Sequence, residues 1–172
     1  MKKKILLVTL VFLLAAAVVV SLRDSKSAEE CAFCQEEVLQ RQAFYEDDFV
    51  VALYSHKPII PGHVLIIPKR HVERFEELED AELLRIKEVM IKVHQAAQKI
   101  YEAKDYLILQ KNGKAAGQSV PHVHFHYFPR KEKQQSEPLL LLRFLIIPHL
   151  SPISNEEMAE AIKPFKIQFA GL

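Results

Sequence analysis

Three histidines, His122, His124 and His126, alternate with Val123, Phe125 and Tyr127 in the stretch Gly117-Gln118-Ser119-Val120-Pro121-His122-Val123-His124-Phe125-His126-Tyr127-Phe128. A period of two marks a strand. Successive strand side chains point to opposite faces, so the three imidazoles are expected on one face and the apolar residues on the other. Imidazole titrates near neutrality, so one ring can attack phosphorus while a neighbouring ring holds or supplies a proton. The same alternation describes any half-buried strand, and a His-x-His pair can chelate a metal. Three histidines in register behind Gly-Gln-Ser-Val are a sharper signal than one such pair.

The two cysteines of the chain form Cys31-Ala32-Phe33-Cys34. Such a pair is half a zinc site, a redox disulfide or two buried thiols. A closed tetrahedral zinc site requires two further ligands, for which histidines fixed by nearby strands are the best candidates.

The elements that must position these residues are legible in outline. At 172 residues the chain suits one domain plus an appendage. Its 23 basic and 22 acidic side chains leave a formal charge of +1, so no global field favours nucleic acid and no nucleic-acid partner is expected. Phe49 to Leu53 and Val64 to Ile67 read as strands joined by Lys57-Pro58-Ile59-Ile60-Pro61-Gly62-His63, a rigid turn that would fix His63 at a strand entrance. A long helix is expected from about Asp80 to Ala103, with Leu83, Ile86, Met90, Val93, Ala97 and Ile100 facing the sheet. His94 beside that stripe, like His56 and His149, reads as structural or exposed. Tyr106 to Gln110 is the next strand, and Asn112-Gly113 opens the loop before the histidines. Further on, Leu139 to Ile147 is too short to span a bilayer and reads as an added strand or a dimer contact. Ser154 and Glu157 form a capping box expected to start a short helix that reaches Ile162 before Pro164 stops it.

Three lysines precede an uncharged, nearly wholly apolar run from Ile5 to Leu22. As a helix it would rise about 27 Å, close to the roughly 30 Å hydrocarbon core. The expectation is an N-terminal hydrophobic helix serving as a membrane anchor, the domain being secreted or periplasmic if the segment is instead a cleaved signal. The division that follows is residues 1–27 as anchor or signal and tether, 28–133 as the domain, and 134–172 as a C-terminal extension.

From about residue 31 to 131 the sequence resembles the histidine triad (HIT) superfamily. The pattern His-φ-His-φ-His-φ-φ, with φ apolar, is complete here, and Glu46 to Phe75 is similar to the Fhit-like branch and nearly as similar to bacterial branches. The resemblance implies an α+β fold, an antiparallel β-sheet of about five strands with one long helix, and a homodimer. It implies a nucleotide hydrolase or nucleotidyltransferase acting at the α-phosphate of a dinucleoside polyphosphate or nucleoside phosphoramidate. His124 would be the nucleophile, His126 its orienting neighbour, Ser119 a donor to the leaving oxygen and Gln118 a holder of non-bridging oxygens. His63 would sit beside the nucleotide, with Phe33, Leu53 and Leu65 lining the base. For Zn2+ it implies Cys31, Cys34, His71 and His122, with a disulfide between the cysteines as the rival. Ser55 stands where the family has Asp or Asn for the ribose. Lys111 stands where it has Asn or Gln, so that Asn112 could substitute or Lys111 grip a phosphate. A histidine at 126 favours the hydrolase branches, since the related transferases carry Gln there. The competing expectations are a membrane-tethered nucleotide-binding module with little turnover, and a zinc hydrolase using the triad itself as ligands.

Overall fold

In the computed structural model, residues 31–131 and 137–170 are described. Ala43–Glu46 (β1), Val50–Tyr54 (β2), Val64–Pro68 (β3), Asp105–Gln110 (β4) and Phe125–Arg130 (β5) form one five-stranded sheet in the order β1-β2-β3-β5-β4. Every neighbouring pair is antiparallel. The helices are Glu36–Gln42 (α1), Asp80–Tyr101 (α2), Glu137–Ile146 (α3) and Asn155–Ala170 (α4). This is the α+β architecture expected of the sequence.

Strand parity divides the chemistry from the core. Val50, Ala52, Tyr54, Val64, Ile66 and Tyr127 face α2 and α4 and form the larger core with Ile86, Val89, Met90 and Val93 of α2. The residues between them, Val51, Leu53, Leu65 and Ile67, face the other way and are covered by Cys31 and Phe33. β2 and β3 are thereby buried on both faces, which is why they read as unbroken apolar runs. His126 pairs with Leu65 in the β3–β5 register, so it lies on the side away from the long helix.

α2 spans 22 residues and starts with a reciprocal cap, the Glu82 carboxylate accepting from Glu79 N–H at 2.9 Å. It ends at Glu102, whose φ of 54° is left-handed.

The C-terminal region differs from its expectations. Leu139 to Ile147 is helical rather than a strand, most of it being α3. α4 runs through Pro164 to Ala170 instead of stopping at Ile162. Proline in a helix interior costs about 3 kcal/mol. Beyond it, however, Phe165 stacks on Phe44 at 4.7 Å and Phe169 packs on Phe44 and Tyr45. Burial of two such rings stabilises by roughly 1.5–3 kcal/mol each, enough to carry the helix past the break.

Membrane attachment is also corrected. Among the described residues no helix is long and apolar enough to cross a membrane. α2 has the length but carries charges along its outer face, and α3, apolar as it is, has only ten residues. The apolar run 5–22 and the expected N-terminal hydrophobic helix lie outside the described residues.

Candidate active site

β5 starts only at Phe125, so His122 and His124 lie on the approach to the strand rather than within it. That approach is held by Val123 N–H donating to the Val72 carbonyl at 2.7 Å and His122 N–H to the Val120 carbonyl at 2.8 Å. All three histidines are partly or fully buried.

Hydrogen bonds assign the tautomers of the rings. His124 Nδ1 lies 2.6 Å from the His122 carbonyl, which can only accept, so this nitrogen bears the proton and Nε2 keeps a lone pair. His63 Nδ1 receives Ile59 N–H at 3.2 Å, so its neutral form carries the proton on Nε2. That Nε2 stands 2.9 Å from His126 Nδ1, which accepts. His126 therefore bears its proton on Nε2. The His124 and His126 rings meet edge to face at 4.9 Å, one offering a lone pair and the other an N–H. Burial is the main cause holding both rings below the ordinary imidazole range, His126 down to about 3, with the Lys111 charge acting in the same direction. Both are neutral at pH 7.

The first histidine faces elsewhere. His122 Nδ1 lies 3.4 Å from Cys31 Sγ and 3.6 Å from Cys34 Sγ, and His71 Nδ1 lies 3.4 Å from Cys34 Sγ. Donor atoms of Cys31, Cys34, His71 and His122 all fall within 4.8 Å of one another. His122 Nε2 donates to the Pro68 carbonyl at 2.9 Å, leaving Nδ1 as the free lone pair that a metal requires. The cysteines are free thiols, and burial, with Cys31 beside it, pushes Cys34 up to about 12.

The other candidate residues have partners within the protein. Gln118 Oε1 accepts Gly113 N–H, and its Nε2 donates to the Glu73 carbonyl at 2.9 Å, so its amide clasps the loop. Asn112 Oδ1 accepts Phe75 N–H at 2.9 Å and its Nδ2 donates to Glu76 at 2.7 Å, tying the loop to the turn at Phe75–Glu77. Phe33, Leu53 and Leu65 are packed together as a wall, and Phe33 touches the His124 ring edge-on at 5.3 Å. Ser55 is buried beside Lys57 N–H. Ser119 lies with Arg74, Lys114 and Gln118 around a small cavity of about 150 Å³.

Lys111 comes to the histidines by register. Leu109 pairs with His126 and Gln110 with Phe125, so Lys111, two residues beyond Leu109, continues on the face of His126 and His124. Its stem runs past Gly117, where an added Cβ would lie 3.5 Å from Nζ. No carboxylate pairs with Lys111 among the described residues.

Two contributors carried no motif. Arg70 makes a two-pronged bond to the buried Glu82, 3.0 Å from Nε and 2.7 Å from Nη2, which pins the segment bearing His71 to α2. Phe128 lies 4.3 Å from the His63 ring and stacks on His126. Only its parity with His126, two residues away, pointed to it.

Residues 36–133 match the HIT domain family. Over 96 residues the chain is 43% identical to the bis(5'-nucleosyl)-tetraphosphatase [asymmetrical] of Schizosaccharomyces pombe, covering 56% of this chain and 53% of that relative. With Protein hit of Bacillus subtilis it shares 34% identity over 108 residues, covering 62% of this chain and 74% of the relative. Among solved structures, the Caenorhabditis elegans NitFhit protein superposes with a TM-score of 0.62 at 33% identity, covering 74% of this chain and 27% of that one. The chain thus spans about half the length of the yeast relative and about a quarter of the worm protein.

Proposed function

The chain belongs to the HIT domain family, and from that premise we propose that it is a nucleotide hydrolase or nucleotidyltransferase working through a nucleotidyl-histidine on His124. The observation that carries this reading is the 2.6 Å bond from His124 Nδ1 to the His122 carbonyl, which leaves Nε2 deprotonated at the site. The yeast relative's name, a bis(5'-nucleosyl)-tetraphosphatase, supports the substrate class.

In the proposed step His124 Nε2 attacks the α-phosphorus in line. An N–P bond forms and the bond to the leaving oxygen breaks. The imidazolium that develops on His124 is stabilised through Nδ1–H by the His122 carbonyl. His126 gives its Nε2–H to a non-bridging oxygen, and Ser119 donates to the leaving oxygen. Water then cleaves the N–P bond, its proton passes to solvent, and His124 returns to its neutral form. His63 acts behind His126 rather than on the substrate. Lys111 stands for the phosphate-gripping reading, and its unpaired charge favours a leaving group that is itself anionic, a polyphosphate rather than an amine. Gln118 and Asn112 are assigned to building the loop, with Phe33, Leu53, Leu65 and Ser55 as the wall on which base and ribose are placed.

Zn2+ is the group proposed for Cys31, Cys34, His71 and His122. Two thiols facing two imidazole nitrogens form the tetrahedral donor set it prefers, and the Pro68 carbonyl supplies the outer contact. Bound there, zinc would cross-link the segment before α1 to the approach of β5 and add folding stability. The catalytic unit is proposed as residues 28–133, with 134–172 an extension. Homodimerisation is proposed on the open edge of β4 and the neighbouring face of α2. There Leu83, Leu84, Ile91, Tyr106 and Ile108 line a largely apolar groove of about 650 Å³.

The test is intact mass of the protein mixed with diadenosine tetraphosphate and with a nucleoside phosphoramidate. A transient adduct of one nucleotidyl group, absent in His124→Ala, is the expected outcome. Turnover without an adduct, or an adduct that survives His124→Ala, overturns the reading.

A further inference from the structure

The family-matched stretch ends at residue 133, and the chain beyond it returns to one turn beside the histidines. Ile153 N–H donates to the His56 carbonyl at 3.0 Å. Lys57 Nζ donates to the Pro148 carbonyl at 2.9 Å, and Arg143 Nη1 to the Ile59 carbonyl at 3.3 Å. Leu140 is buried in a cluster with Ile59, Ile60 and Phe128, against which Phe144 and Ile147 pack. Three polar contacts and one apolar cluster therefore fall on residues 56–60.

That turn decides where a proton sits. Ile59 N–H, 3.2 Å from His63 Nδ1, makes that nitrogen an acceptor. The placing of Ile59 thus selects the neutral tautomer with its proton on Nε2. With Nδ1 accepting, His63 Nε2–H donates to His126 Nδ1 and His126 shows an N–H to the site. With the opposite tautomer, His126 would turn a lone pair toward an anionic oxygen and repel it. Arg143 holds Ile59 at its carbonyl and the Leu140 cluster holds its side chain, so both restrain the residue whose N–H meets the His63 ring.

We propose that α3 and the segment following it are a positioning strut, which holds Ile59 so that His63 and His126 stay in the tautomers that present an N–H to phosphate. This rests on the reading of His124 and His126 as the phosphate-handling pair. Arg143 is a positioning residue here, acting through Ile59 and His63 without touching substrate.

The test is nitrogen NMR of histidine-labelled full-length protein, with adduct kinetics on the same samples. In the wild type, His63 and His126 are both expected as Nε2–H tautomers. In Arg143→Met, which keeps the stem and removes the donor, His63 is expected to populate the other tautomer. The rate of adduct formation should fall roughly tenfold with KM within about twofold, as orientation rather than binding is lost. Arg143→Lys should restore most of both. Leu140→Ala, loosening the same residue from its apolar side, should shift the tautomer likewise. Unchanged tautomers in both Arg143→Met and Leu140→Ala overturn the strut, whatever happens to activity. A wild type that forms no adduct with any nucleotide removes the proposed activity instead, and the tautomer measurement still decides the strut.

Discussion

His122 and His124 stand two residues apart and carry the same side chain, yet their surroundings prepare them for different work. His122 turns Nδ1 to two thiols and its Nε2–H to a backbone carbonyl, so every polar atom of the ring is engaged by protein. His124 has only Nδ1 held, by the carbonyl of His122 itself, and keeps Nε2 for a reactant. The difference lies in the second nitrogen, and it teaches that a motif of identical residues is divided by which ring atom the fold leaves without a partner. The shared carbonyl also links the halves, because a shift of His122 moves the acceptor that fixes the His124 proton.

Removing the free nitrogen should give the largest effect. His124→Ala is expected to lower turnover of a dinucleoside polyphosphate by roughly a thousandfold or more. Its unfolding midpoint in urea should stay close to the wild-type value, and a large drop would erase the distinction between the two histidines. Removing the engaged side should do the reverse. Cys34→Ser, or treatment with a chelator, is expected to lower stability by several kcal/mol, on the order expected when a structural zinc ligand set is broken. Metal content measured on the same samples should fall, while protein that remains folded at low temperature still forms the adduct. Loss of chemistry without loss of stability would favour the triad itself as metal ligands.

His63→Ala sharpens the comparison within the reactive half. It should slow adduct formation about a hundredfold, as His126 loses the donor that fixes its tautomer, and should leave bound metal unchanged. Acid stability should change as well. Burial holds His126 down to about 3, against about 6.5 for an unfolded histidine. Between those values the unfolded chain binds a proton that the folded one refuses, so stability is fully present above about pH 6.5 and declines as pH falls toward 3. In His126→Asn the decline across that window should be shallower by urea titration at several pH values. Equal slopes would mean that His126 is not held neutral.

Much of the framework was legible in the chain. Apolar stripes at helical spacing located α2, and unbroken Val/Ile/Leu runs located β2 and β3, because burial on one or both faces writes itself directly into the pattern. The α4 boundary was not legible. Pro164 is a local stop signal, and the rings that override it, Phe44 and Tyr45, are over a hundred residues away. The contacts of Gln118 and Asn112 were not legible for a similar reason: an amide near a phosphate loop can hold a ligand or the loop, and only the neighbouring carbonyls and N–H groups show what it meets in the fold. Arg70 and Glu82 left no signal, since an ion pair formed twelve residues apart follows no period.

What the sequence determined by itself is the inventory and its parity: three imidazoles at alternate positions, a Cys-x-x-Cys pair, and alternating strands that keep chemistry on one side and core on the other. Residue type and a period of two or 3.6 are local properties, readable without knowing what lies across the fold. The tertiary structure decided which histidine faces sulfur, which nitrogen carries each proton, and which turn the C-terminal helices hold. Those are set by contacts between segments far apart in the chain, and a proton's place on an imidazole depends on the partner that long-range packing brings to each ring nitrogen.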